Sequence, residues 1–147
     1  MKNKFAWGKG SKRVFNEVHP DMVFVSTKAL TEFSTVDVGA ICGSRTVAEQ
    51  RLRVKTKASR TMASNHIPRR YKPELARTKP QARYKLMAKV SHATDFMAFT
   101  PKGKGTWESA YYYAFAEAQR LAAVKYDIPL VWGGCWKDLR TVISIKD

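Results

Sequence analysis

The 22 residues TWESAYYYAFAEAQRLAAVKYD, 106–127, constrain the fold more than any other stretch. Apolar side chains at 107, 111, 114, 118 and 121 recur every three to four positions, the spacing of one face of an α-helix. A helix of this length is marginal alone in water and holds only when that face is laid on another surface. The rest of the chain must therefore supply one. VDVGAICG (36–43) is a short β-like run closed by glycine, and ATDFMAF (93–99) alternates as a strand does. IPLVWGG (128–134) and TVISI (141–145) are strand-like as well. Two further helices are predicted. HPDMVFVSTKALTEF (19–33) has apolar residues at 22, 23, 25, 29, 30 and 33 with Pro20 in its first turn, and SRTVAEQRLRVKTKA (44–58) has Ser44 as its expected N-cap. The order of elements predicts an α+β fold, one small domain over 1–147 with a central antiparallel sheet and helices packed on it. A chain of 147 residues is long enough to bury such a core without staples.

Charge is the next constraint, because it is unevenly distributed. The net charge is +15, yet residues 51–89 alone hold 13 Lys and Arg against one acid, Glu74. Such a concentration predicts a face that meets something anionic: nucleic acid, an anionic cell-envelope polymer or an acidic protein. Residues 59–91 contain Pro68, Pro73 and Pro80 and no clean period, which predicts a long basic loop with one helical turn around 81–88. A loop of that length in a compact domain calls for an explanation, either insertion or function. Cys42 and Cys135 form no CxxC motif and no disulfide framework, and the plain expectation is two buried or half-buried thiols. No apolar run reaches the ~20 residues of a membrane helix, and MKNKFAWGKG has no signal-peptide core. Membrane insertion is thus not expected.

KVSHATDFMAF (89–99) places His92 and Asp95 three positions apart at the edge of a strand, a spacing that metal sites use. Around it lie FAWGKGSKRVFNEVHPDM, GAICGSRTVAEQ, SNH, SHATDFMAF and AVKYDIPLVWGGCW. In that order these pieces resemble the zinc-dependent D-alanyl-D-alanine carboxypeptidase and L-alanyl-D-glutamate peptidase family, specifically its phage endolysin branch. The resemblance implies a peptidoglycan-peptidase fold and a zinc site. His66 and Asp95 match the first two zinc ligands, and His92 matches a neighbour of the site. Arg45 matches the arginine that holds the substrate carbonyl and developing oxyanion, and Ser64 matches a serine that shapes the pocket. Trp132 and Trp136 flank a glycine pair near the implied pocket, where they serve as substrate wall or as core. His19 is expected at a helix start, and Tyr111–Tyr113 mostly in the core.

Two departures from the family pattern shape the functional expectation. His66 and Asp95 are separated by 29 positions, with a basic insertion at about 67–90 between them. No histidine follows His92, so Ser144 and Thr141 stand near the places of the third ligand and the base. A zinc hydrolase needs three protein ligands and a nearby carboxylate base. The leading expectation is therefore an incomplete zinc site in a non-catalytic binding or virion component. The alternative is an active zinc endopeptidase cleaving peptidoglycan stem peptides, with His92 or Cys135 completing the ligands and Asp138 or Asp147 as base. A weaker alternative is a basic nucleic-acid-associated protein working through 51–89. Expected partners are peptidoglycan or another anionic envelope polymer, other phage virion proteins, or nucleic acid. The expected location is the host cytoplasm on synthesis, then a virion or release as a lysin.

Overall fold

A computed structural model describes residues 5–57, 62, 64–70 and 89–145. Helix α1 (Lys9–Phe15) leads into α2 (Pro20–Lys28), which begins with Pro20 at its N-terminus and His19 Nδ1 accepting from the Asp21 amide. The single helix expected over 19–33 instead divides, because Ala29–Phe33 forms a π-helical turn in which Ser34 N donates to Ala29 O. The Thr27 and Thr31 hydroxyls bond back to the Val23 and Thr27 carbonyls, a pairing that perturbs the regular ladder here. Strand β1 (Asp37–Cys42) follows, then α3 (Val47–Lys55). The α3 cap is Thr46 rather than the expected Ser44: its side chain accepts from Glu49 N while the Glu49 carboxylate faces Thr46 N, a reciprocal capping box.

Short β2 (Arg69–Arg70) pairs antiparallel with β3 (Lys89–Val90), which brings the two ends of the basic insertion together. The helical turn expected around 81–88 lies outside the described residues. Strand β4 (Asp95–Phe99) pairs with β1 on one side and with β5 (Gly105–Thr106) on the other. The expected central antiparallel sheet thus forms in the order β1-β4-β5. Helix α4 (Ser109–Tyr126) lies against it and ends at Asp127, in the left-handed region at φ 51°.

The buried face of α4 is rotated from the expected one. Phe115, Ala118, Gln119, Ala122 and Ala123 are buried, whereas Trp107 precedes the helix and is 70% exposed. Alanines at i, i+4 and i+5 let α4 approach the Ala29–Leu30 turn closely, so small residues mark the contact face and larger aromatics border it. The Tyr111 and Tyr112 rings pack at the core margin, and Tyr112 Oη donates to Thr106 O while accepting from Ala98 N. Beyond α4 the expected strands at 128–134 and 141–145 are absent. Pro129 and the Gly133–Gly134 pair interrupt any ladder, leaving one bridge, Val131 with Asp138, before a 3₁₀ turn at Leu139–Thr141. Ile128, Leu130 and Leu139 still reach the core with Leu30, Val38 and Ala98.

Candidate metal centre

The site lies where β1 ends and β4 begins. Cys42 is the cross-strand partner of Asp95, just past a register shift between Ala40 and Cys42. A bulge at a strand end re-aims the side chains that follow it. Here it turns the last residue of β1 and the first of β4 toward one point.

The third side chain comes from the turn at 64–67, which is tied to the loop after β1. Arg45 N donates to His66 O at 2.8 Å, and Ser64 Oγ accepts from His66 N at 3.2 Å. The His66 ring is set by its own bond: Nδ1 lies 2.7 Å from Gly43 O. A carbonyl only accepts, so Nδ1 carries the proton and Nε2 points onward to Asp95 Oδ1 at 3.3 Å. Gly43 is required at this spot, since a Cβ there would stand 2.6 Å from Val18 Cγ2. The same Gly43 oxygen lies 3.0 Å from Ser91 Oγ, which ties this loop to the chain entering β4.

Behind these groups Arg45 is buried at 7% exposure. Its Nη1 donates to Gln50 Oε1 at 2.6 Å, and Gln50, on the inner side of α3, is fully buried. Arg45 Nη2 lies 3.6 Å from Cys42 Sγ and 3.7 Å from Asp95 Oδ2. Its Nε is buried without a hydrogen-bond partner among the described residues. Partial burial by itself raises the Asp95 carboxyl, but the His66 hydrogen bond and charge, with Arg45 and Arg53, outweigh it. The net position is below the usual carboxylate value.

Among the described residues one group of three metal-ligating side chains converges: Cys42, His66 and Asp95, with donor atoms within 4.8 Å of one another. His66 and Asp95 were legible in the sequence; Cys42 was not, because nothing in its spacing marks it. Only the cross-strand register reveals it. His92 stands on the cleft wall but outside this group, with Nδ1 3.1 Å from Val90 O and its ring 5.2 Å from that of His19. Burial lowers the His92 pKa, with Arg69 and His19 adding to the effect. Asp138 stands apart from the site. Its carboxylate binds the Arg140 guanidinium at 2.7 Å and caps the 3₁₀ turn through Arg140 N. That engagement holds its pKa below the ordinary value and commits it to the turn.

A cleft of about 1270 Å³ opens over the three side chains. Ser64, His66, His92 and Asp95 line it with Trp132 and the highly exposed Trp136, and Arg53 and Arg69 add positive charge. Arg45 is set behind Asp95 and does not line the cleft. Gly134 must be glycine for Trp132 to lie as it does, since a Cβ would fall inside the indole contact distance.

A three-stranded antiparallel sheet with packed helices and a metal-ligating group at its cleft end defines a small α+β domain with a candidate metal centre. The chain belongs to the phage L-alanyl-D-glutamate peptidase family, whose model it matches over residues 3–142. Its structure is similar to the crystal structure of the Serratia marcescens L-Ala D-Glu endopeptidase ChiX. The TM-score is 0.68 at 30% sequence identity, covering 95% of this chain and 86% of that one. No curated protein sequence matches at a comparable level. No described helix is long and apolar enough to cross a membrane.

Proposed function

We propose that the chain is a zinc-dependent peptidase that cuts the L-alanyl–D-glutamate bond of peptidoglycan stem peptides. One observation carries this reading: His66 Nε2 and Asp95 Oδ1, 29 residues apart in sequence, stand 3.3 Å apart. Two donors bound to zinc at ~2.0–2.1 Å with tetrahedral angles are separated by about that distance. The donor chemistry fits as well, because the Gly43 carbonyl sets the His66 tautomer as a second-layer partner does in zinc sites.

When bound, zinc lowers the pKa of a coordinated water toward ~7 and polarises the scissile carbonyl. His66 and Asp95 would hold that ion through Nε2 and Oδ1. Arg45 keeps Asp95 oriented from behind. Arg53 and Arg69 on the cleft wall meet the carboxylates of a D-glutamyl peptide. Ser64, Trp132 and Trp136 position the stem. His92 Nδ1 donates to Val90 O, which leaves Nε2 with its lone pair on the cleft wall, where it would serve as the base for a water in the cleft. Replacing it, His92→Gln, is expected to lower kcat by about 10²–10⁴-fold with zinc retained. Loss of zinc in that variant would instead make His92 a ligand.

A second reading rests on a specific observation: Asp95 is the sole carboxylate among the described residues lining the cleft, and Asp138 is held by Arg140. On that reading the cleft binds stem peptides without cutting them. Neither the family nor the ChiX likeness speaks for virion proteins or nucleic acid as partners.

Digestion of purified peptidoglycan followed by mass spectrometry of the fragments separates the two. New amino termini on D-glutamate, abolished by chelator and by Asp95→Ala, support the peptidase. Walls that retain the protein but yield no new termini establish the binding reading.

A further inference from the structure

We infer that Cys42 is the third protein ligand of the metal centre, giving a thiolate–imidazole–carboxylate site. The inference rests on the metal-binding reading above and adds to it a donor that nothing else assigns. Zinc sites that keep an open position use three protein donors, and those with a cysteine among them are chemically sound. Among the described residues, a third donor joins His66 and Asp95 at a single place, Cys42 Sγ. It arrives there by construction: Cys42 and Asp95 are paired across the sheet at the register shift.

The surroundings are built for two anionic ligands rather than one. Arg45 Nη2 reaches both Cys42 Sγ and Asp95 Oδ2, at 3.6 and 3.7 Å. A buried guanidinium needs such charge beside it, and Gln50 fixes the fork from the far side. Thiolate, carboxylate and a divalent ion sum to zero, and the guanidinium behind them returns one positive charge to the centre. The set also predicts metal preference, since sulfur and imidazole donors select zinc over magnesium or calcium.

A competing use of the same three residues makes Cys42 a nucleophile with His66 as its base. The geometry opposes it. Sγ lies 3.8 Å from His66 Nδ1, and that nitrogen already donates to Gly43 O at 2.7 Å, so it has no lone pair for the thiol proton.

The test uses the full chain loaded with Co(II) in place of zinc, read by absorption and by metal stoichiometry. Wild type is expected to show a near-ultraviolet sulfur-to-cobalt charge-transfer band with one ion per chain. Cys42→Ser is expected to lose the band and at least ~100-fold in affinity, more than second-layer changes cost. Cys42→Asp, which restores an anionic donor, should bind Co(II) without the band, and Cys135→Ser should keep it. Bound Co(II) with no sulfur band in wild type, or a band that persists in Cys42→Ser, overturns the inference. So does hydrolysis that survives chelator but is abolished by alkylating Cys42. A sulfur band in a protein that cuts no peptidoglycan leaves the ligand assignment standing and removes the peptidase reading. Chelator-sensitive cutting without the band does the reverse.

Discussion

Gln50 lies outside the cleft lining and outside the Cys42–His66–Asp95 group, yet it is bonded to the arginine behind them. Its amide oxygen is the acceptor for Arg45 Nη1, and Arg45 in turn faces both Cys42 and Asp95. Removing the amide leaves a buried guanidinium with its Nη1 donor unpaired as well as its Nε, a costly state that the side chain relieves by shifting. Gln50→Ala is therefore expected to weaken zinc binding by roughly 10–100-fold, the range for second-layer changes. Competition with a chromophoric chelator measures it. An unchanged affinity in a folded Gln50→Ala protein would show that Arg45 holds its place without this bond. At this scale residue type and local motif pointed to His66 and Asp95, which the fold brings to 3.3 Å of each other. Arg45, expected at the substrate carbonyl, instead stands behind Asp95 and off the cleft wall. Cys42 was not legible, because its place beside His66 and Asp95 depends on a register shift and a cross-strand pairing with a residue 53 positions away. Sequence reading assigned Asp138 a chemical role that the Arg140 fork two residues later takes away.

At the scale of elements, helices and strands with strong local periodicity were legible: α4, β1 and β4 fall within a few residues of where alternation and helical spacing put them. The segments after α4 were not, because apolar content at 128–134 and 141–145 reflects packing onto the core by an irregular chain rather than strand pairing. The π turn was equally hidden, since i→i−5 bonding leaves no mark on apolar spacing. That turn carries Glu32, whose carboxylate binds Lys125 Nζ at 2.8 Å and Tyr126 Oη at 2.6 Å, joining it to the end of α4. The hydrogen bonds from Lys125 and Tyr126 hold the Glu32 pKa down at about 2, from an ordinary 4.5. A carboxyl depressed on folding stabilises the protein above its unfolded pKa, and that contribution fades as pH falls toward the folded value. Between about pH 4.5 and about 2, unfolded chains bind the proton that folded ones refuse. Glu32→Gln should accordingly flatten the acid limb of a urea-midpoint-versus-pH curve in that window, with the largest difference from wild type near neutrality. Parallel curves for the two proteins would show that the pair contributes nothing to stability.

Across the whole molecule, charge and cleft are arranged as two different devices. The charge surplus is concentrated in 51–89, and within the described part of that span Arg53 and Arg69 reach the cleft wall while Arg51, Lys55 and Arg70 face solvent. The sequence already placed the basic insertion between His66 and Asp95, at the edge of the expected site, and the pairing of Arg69–Arg70 with Lys89–Val90 shows how its two ends meet there. Long-range attraction to an anionic wall is screened beyond ~8 Å at physiological salt, whereas contacts inside the cleft are screened far less. The two devices must then separate under salt. With intact sacculi as substrate, raising salt from roughly 50 to roughly 500 mM should raise KM by about tenfold or more and leave kcat nearly unchanged. With a short stem-peptide fragment the salt effect on KM should be much smaller. Arg53→Gln together with Arg69→Gln is expected to reverse the pattern and raise KM for the fragment, because it removes the two guanidinium groups that, among the described residues, line the cleft. Equal salt sensitivity for sacculi and fragment would mean that the basic face acts only through the cleft, and that its remaining charge is no more than a solvated surface.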